Sequence, residues 1–180
     1  MTRTEIALIR GINVGRAKRV AMADLKKLVE KLGYGDVRTL LNSGNVVFTV
    51  PGSARGSPAA RIEEALASKL GVSARVTGIT AGELAAAVAG NPIRAMERDP
   101  SRALVAFLRK PEDRKLLQPL AKERWVPEEL AIGKRVAYLW CPGGILESRL
   151  LEAVSDALGD GVTTRNWATV KKLLGIAGGG

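Results

Sequence analysis

The turn Ser43-Gly44-Asn45 constrains this chain more than any other feature. It separates two strand-like runs, residues 36–41 and 46–50, and a glycine-containing turn between such runs predicts a β-hairpin. Ahead of it lies a strand-like run at 5–10 that is apolar on both alternating faces, the pattern of a central strand covered on both sides. A helical pattern follows over 22–32, with Leu25, Leu28, Val29 and Leu32 on one face, Asp24 in the first turn and Gly33 at the end. Beyond the hairpin come a Gly/Ser/Pro-rich loop at 51–57, a helix opened by Pro58 and running to Leu70, and a fourth strand at 72–79. The order β-α-β-β-α-β predicts a ferredoxin-like split β-α-β unit. Right-handed crossovers make the first two strands parallel and insert the third antiparallel between them. The exit of the first strand, residues 10–19, and the hairpin turn, residues 42–45, therefore belong at the same end of the sheet.

The order then repeats. Residues 80–89 predict a short helix capped by Thr80, and Gly90-Asn91-Pro92 with the charged stretch 94–102 reads as a connection. A strand at 103–108, a helix opened by Pro111 and ending at Lys122, a hairpin of 129–132 and 135–140 turned at Gly133-Lys134, a helix at 146–158 and a strand at 162–165 follow. Asn166 caps a last helix that extends through Leu174. The expected fold is α+β: two tandem ferredoxin-like (α/β plait) halves with antiparallel sheets and a C-terminal helix. The boundaries are 1–79 for the first half, 80–102 for the connection, 103–177 for the second half and 178–180 for a frayed tail.

Composition excludes more chemistry than it supports. There is no histidine, which removes Ser-His-Asp and Cys-His arrangements, the HExxH metal site and any histidine general base. One cysteine, Cys141, cannot form an intramolecular disulfide and fits a reducing cytoplasm, and no metal site is expected from this chain. No apolar run approaches the roughly 18–20 residues of a membrane span, and the N-terminus has no signal-peptide pattern. The formal net charge is +10, and residues 1–50 hold nine Lys/Arg against four Asp/Glu while 161–180 hold three cations and no acid. Such a surplus favours phosphate-bearing partners, although basic surfaces also serve plain solubility.

Several stretches resemble a known family. The run Leu8-Ile9-Arg10-Gly11-Ile12-Asn13-Val14-Gly15, then Val20 and Met22 ahead of a helix, then Ser43-Gly44-Asn45-Val46-Val47-Phe48, is similar to the N-terminal signature of the bacterial domain-of-unknown-function family with serial number 1697. Asn91-Pro92 and Thr164-Arg165-Asn166-Trp167-Ala168-Thr169-Val170 resemble its later landmarks. The resemblance implies tandem ferredoxin-like halves and supplies no catalytic residues. The chain departs from the pattern at Arg16, where a second glycine is usual, and at Ala21, where proline is typical.

Two places are candidate sites. In the first, Gly11 and Gly15 allow left-handed backbone and close approach, Arg10 offers a bidentate fork, Lys18 and Arg19 add charge, and Ser43, Gly44 and Asn45 lie alongside. The bland reading is a turn glycine pair with Asn13 bonding backbone, since the spacing is neither a P-loop nor a dinucleotide fingerprint. In the second, Arg165 and Asn166 stand at a helix start, where anions are attracted; Asn166 as a plain cap and Trp167 as a core anchor is the competing account. Neither place contains an acidic residue, so an enzyme would lean on Asp24 or Glu5. Sheet-face RNA readout needs exposed aromatics, and the central strands of the first half offer only Phe48.

The function expected from these residues is binding of a phosphate-bearing small molecule or nucleic acid by a cytoplasmic protein without a cofactor, and an enzyme is disfavoured. The alternatives are a transferase or hydrolase with its site in a cleft between the halves, and a protein-interaction scaffold.

Overall fold

Strand β1 (Thr2–Ile9) is the spine of the first sheet, antiparallel to β3 (Asn45–Pro51) on one side and to β4 (Val76–Thr80) on the other. With β2 (Gly35–Leu40) outside β3, the order is β2-β3-β1-β4. The crossover helices are α1 (Met22–Lys31) and α2 (Pro58–Leu70). The computed structural model describes residues 1–178.

The core of this unit follows from the period-two alternation of the strands and the helical stripes. Ala7, Ile9, Val46, Phe48, Val50 and Val76 meet Leu25, Leu28 and Val29 of α1 and Ile62, Ala65 and Leu66 of α2. Phe48 sits 5.0 Å from the Tyr34 ring, centroid to centroid. Both helices are delimited by local chemistry. The Ser57 hydroxyl accepts the Ala60 amide at 3.2 Å, Pro58 occupies the first turn, and Gly71 closes α2 in the left-handed region at φ 65°. Ala21 precedes α1 without a side-chain cap, and Asp24 in its first turn complements the helix dipole.

A second sheet repeats the plan. Strands β5 (Ala103–Leu108), β6 (Glu129–Ile132), β7 (Val136–Trp140) and β8 (Val162–Asn166) are arranged β6-β7-β5-β8, all neighbours antiparallel. The helices α3 (Ala81–Ala89) and α4 (Ala95–Arg98) precede it in the chain. Helices α5 (Arg114–Ala121) and α6 (Arg149–Leu158) supply Leu117, Leu150, Val154 and Leu158 to a core with Leu104, Ala106, Leu108, Ala137 and Leu139. Helix α7 (Trp167–Gly178) follows β8 directly. The chain divides into two compact units, Met1–Gly82 together with the chain from Leu173 on, and Glu83–Lys172.

The strand orders and the α+β class agree with the sequence expectation; several boundaries do not. Residues 72–75 are not strand: β1 ends at Ile9, paired with Val76, and only Arg10 N–H reaches back to Arg75 O at 2.9 Å. Thr80 is the last residue of β4 and immediately precedes α3, which begins at Ala81. The charged stretch holds α4 and a 3₁₀ turn, Pro100–Arg102. Helix α6 begins at Arg149, because the Ser148 hydroxyl accepts the Leu151 amide at 3.0 Å and Leu146 is left fully exposed. Helix α7 continues past Leu174 to Gly178, and the rest of the expected tail, 179–180, lies outside the described residues.

Candidate functional site

The β1 exit and the β2–β3 turn are in direct contact. Ile9 N–H donates to Gly44 O at 2.9 Å, which carries the end of β1 onto the hairpin turn. Gly44 has φ 88°, and a Cβ added there would lie 2.8 Å from Ile12 Cδ1 and 3.0 Å from Ile9 Cβ. Only glycine satisfies both the left-handed backbone and that approach. The two segments that the element order places at one end of the sheet are thus bonded to each other directly.

Asn13 is the clamp of this contact. Its backbone is left-handed at φ 56°, a conformation that asparagine tolerates better than most residues. Its Nδ2 group donates to Asn42 O at 2.7 Å and to Val20 O at 2.8 Å, while Oδ1 accepts Val20 N–H at 2.8 Å. Its own N–H donates to Lys18 O at 3.0 Å, closing residues 13–18 into a ring. With both amide hydrogens spent, Asn13 organises the loop and does not offer its side-chain donors to a ligand.

The loop itself carries repeated left-handed positions, at Gly11 (φ 69°), Asn13, Gly15 (φ 64°) and Lys18 (φ 50°). The main-chain N–H groups of Val14, Gly15 and Arg16 have no partner among the described residues. Arg16, Lys18 and Arg19 are exposed, and none of them pairs with a carboxylate among the described residues. The Arg19 guanidinium folds back to donate to Gly15 O at 3.1 Å. Arg10 is half-buried at the loop's entry. A depression of about 360 Å³ lies here, lined by Asn13, Arg19, Val20, Ala21 and Asn42. No carboxylate is among its lining residues.

The other expected site residues have structural work. Asn45 is fully buried, and its Nδ2 donates to Leu40 O at 2.8 Å and to Ser43 Oγ at 2.9 Å, fixing the turn from inside. Arg165 and Asn166 lie in the second unit. Arg165 is 8% exposed, donates to Thr164 O at 2.8 Å, and burial pushes its guanidinium down to about 10. Asn166 Oδ1 accepts Thr169 N–H at 2.8 Å as a helix cap, and Trp167 is buried. Asn42 is the residue that sequence reasoning passed over as a lining group. It enters through a backbone carbonyl, which leaves no trace in side-chain chemistry.

Acid–base and nucleophilic groups are placed unfavourably. Glu5 sits five residues up the strand from Arg10, roughly 17 Å away at strand rise, and is held by Arg3 Nε at 2.6 Å. Asp24 lies on α1, in a different depression. Cys141 is fully buried, and burial pushes its thiol up to about 11, with Ser148 and Glu128 beside it. Phe48 is 1% exposed inside the core, so the central strands of the first sheet offer no ring for base stacking. Among the described residues no group of three or more Cys, Asp or Glu could hold a metal ion, and no helix is long and apolar enough to cross a membrane.

Comparison with known proteins agrees with this description of the fold. A solved structure titled "The structure of conserved bacterial protein SP0830 from Streptococcus pneumoniae" aligns with a TM-score of 0.80 at 21% sequence identity, covering 98% of this chain and 99% of that one. At that identity the likeness concerns the fold alone. No curated protein matches the chain. The family model described as "Protein of unknown function (DUF1697)" matches residues 1–138, which takes in the loop and the hairpin turn and leaves 164–170 beyond it, and the chain belongs to that family.

Proposed function

We propose that the first unit binds a phosphate-bearing small molecule at the loop of residues 10–20, with the hairpin turn at 42–45 as its support. The observation that carries this reading is the set of unpartnered amides at Val14, Gly15 and Arg16, on a loop with left-handed residues at 11, 13 and 15. Successive free amides in such backbone make anion-binding concavities, and a phosphate supplies the acceptor oxygens they lack. Arg16, Lys18 and Arg19 ring these amides with unpaired positive charge. The adjoining depression of about 360 Å³ is within the range of small-ligand pockets.

The absence of carboxylates from the lining and the raised thiol of Cys141 support binding over acid–base or covalent catalysis. The single buried thiol also supports a reducing, cytoplasmic setting. Extended nucleic acid is the competing ligand. It would use the same cations, and its affinity would fall steeply with salt.

A thermal-shift screen of inorganic pyrophosphate, nucleoside di- and triphosphates and short oligonucleotides tests the reading. It is run on the parent, on Arg10→Ala and on the double variant Lys18→Glu/Arg19→Glu. A small phosphate compound should raise the parent's Tm and leave the double variant's unchanged. Equal shifts in both proteins, or none in the parent, would overturn it. Stabilisation by oligonucleotides alone would move the assignment to nucleic acid.

A further inference from the structure

On the helical side of the first unit, α1 and α2 leave a groove of about 460 Å³ between them. Its floor is apolar: Leu28 and Ala65 are buried, Leu32 is partly buried, and Leu70 is 37% exposed at one end. Ala65 contributes only a methyl group there, where any longer side chain would occupy the groove.

The rim is cationic. Lys27 and Lys31 stand one helical turn apart on α1, and Lys69 stands on α2, against a single carboxylate, Asp24. No side-chain ammonium of the three lysines forms an ion pair or a hydrogen bond among the described residues. Their neighbour Lys26, which does not line the groove, has Glu30 at 3.9 Å. The groove therefore combines an apolar floor with positive charge that the protein does not itself neutralise.

We propose that this groove binds a free, single-chain anionic amphiphile, its alkyl chain along Leu28, Ala65 and Leu70 and its carboxylate among Lys27, Lys31 and Lys69. Chain burial drives association in proportion to apolar area, and the lysines orient the head group. A protein partner fits less well. A stable interface buries about 1,200–2,000 Å², whereas this feature is confined to two helices of 10 and 13 residues. The competing account is that lysine stems merely shelter leucines from water while their ammonium groups stay solvated. That account predicts no saturable binding.

The test is a titration of the isotope-labelled full-length protein with dodecanoate below its micelle concentration, followed by amide chemical shifts. Saturable shifts centred on Leu28, Ala65 and Leu70 are expected. Charge reversal at Lys27, Lys31 and Lys69 should weaken binding about tenfold, and so should replacing dodecanoate by uncharged dodecanol. Because those lysines are exposed, the variant keeps its core; Ala65→Leu, with the charges intact, should separately abolish binding by filling the floor. Non-saturating shifts, shifts elsewhere, undiminished binding by the charge-reversed protein, or binding only to anionic phospholipid vesicles would overturn the proposal.

Discussion

The side-chain amide of Asn13 donates to the backbone carbonyl of Asn42 at 2.7 Å, across 29 positions of sequence. Together with the Ile9 N–H bond to Gly44 O, it ties the β1 exit to the β2–β3 turn, while the Asn13 bonds to Val20 and Lys18 close the candidate binding loop.

Replacing Asn13 tests that role. Asn13→Ala removes three side-chain hydrogen bonds and places a Cβ-bearing residue without side-chain compensation at φ 56°. A loss of about 2 kcal/mol in urea denaturation is expected, since each partly exposed bond contributes about 0.5–1.5 kcal/mol. Asn13→Gly relieves the backbone term but not the bonds, so it should fall between the parent and the alanine variant. A stability equal to the parent's in both variants would remove Asn13 from its position as clamp.

Glycines at two positions separate strain from collision. Gly44→Ala combines φ 88° with a Cβ 2.8 Å from Ile12, while Gly56→Ala at φ 77° meets nothing within 4 Å. The second should cost about 1–2 kcal/mol from backbone alone. The first should cost clearly more, with overpacking adding about 1–3 kcal/mol. Thermal unfolding of the two variants side by side makes the comparison.

Helix starts should respond to loss of their caps. Asn166→Ala removes the acceptor for Thr169 N–H and should destabilise the protein by about 1 kcal/mol. Ser148→Ala should cost more than that. Its hydroxyl both accepts from Leu151 N–H and donates to the Glu128 carboxylate, which also accepts from Leu150 N–H at 3.2 Å. Denaturant midpoints at constant m-value measure both.

Cys141 gives the chain a defined alkaline limb. Burial raises its folded-state value to about 11 from an ordinary 9.0, so the native state holds its proton more tightly than the unfolded chain. The associated stability is fully present below pH 9 and is lost as pH rises towards 11, by about 2–3 kcal/mol in all. Cys141→Ala should flatten this part of the stability profile. Iodoacetamide should label the native thiol slowly at pH 8 and rapidly once denaturant is added.

Much of this architecture was legible in the residues. The Ser43-Gly44-Asn45 turn with its flanking helices led to the first sheet order, and the repeat of that pattern around Gly133-Lys134 to the second, because right-handed crossovers leave few alternatives. The juxtaposition of the loop and the turn came from the same step. The division of labour within the site was hidden. Whether Asn13 or Asn45 faces a ligand or the backbone depends on partners 29 and five residues away, respectively, and an asparagine serves either purpose. Strand ends were misread where pairing decided them. Residues 72–75 alternate like a strand but lie beyond the reach of β1, whereas polar Thr2 and Arg3 extend β1 because Pro51 and Val50 lie opposite. The groove between α1 and α2 was out of view altogether, since it depends on Ala65 meeting a helix more than thirty residues earlier in the chain.

The central claim, anion binding by the loop amides, is tested most directly by titrating isotope-labelled protein with inorganic pyrophosphate at low ionic strength. The account predicts saturable amide shifts at Val14, Gly15 and Arg16, weakened when Lys18 and Arg19 are both changed to Glu. Unmoved amides at these three residues, or identical titrations in parent and variant, would contradict it.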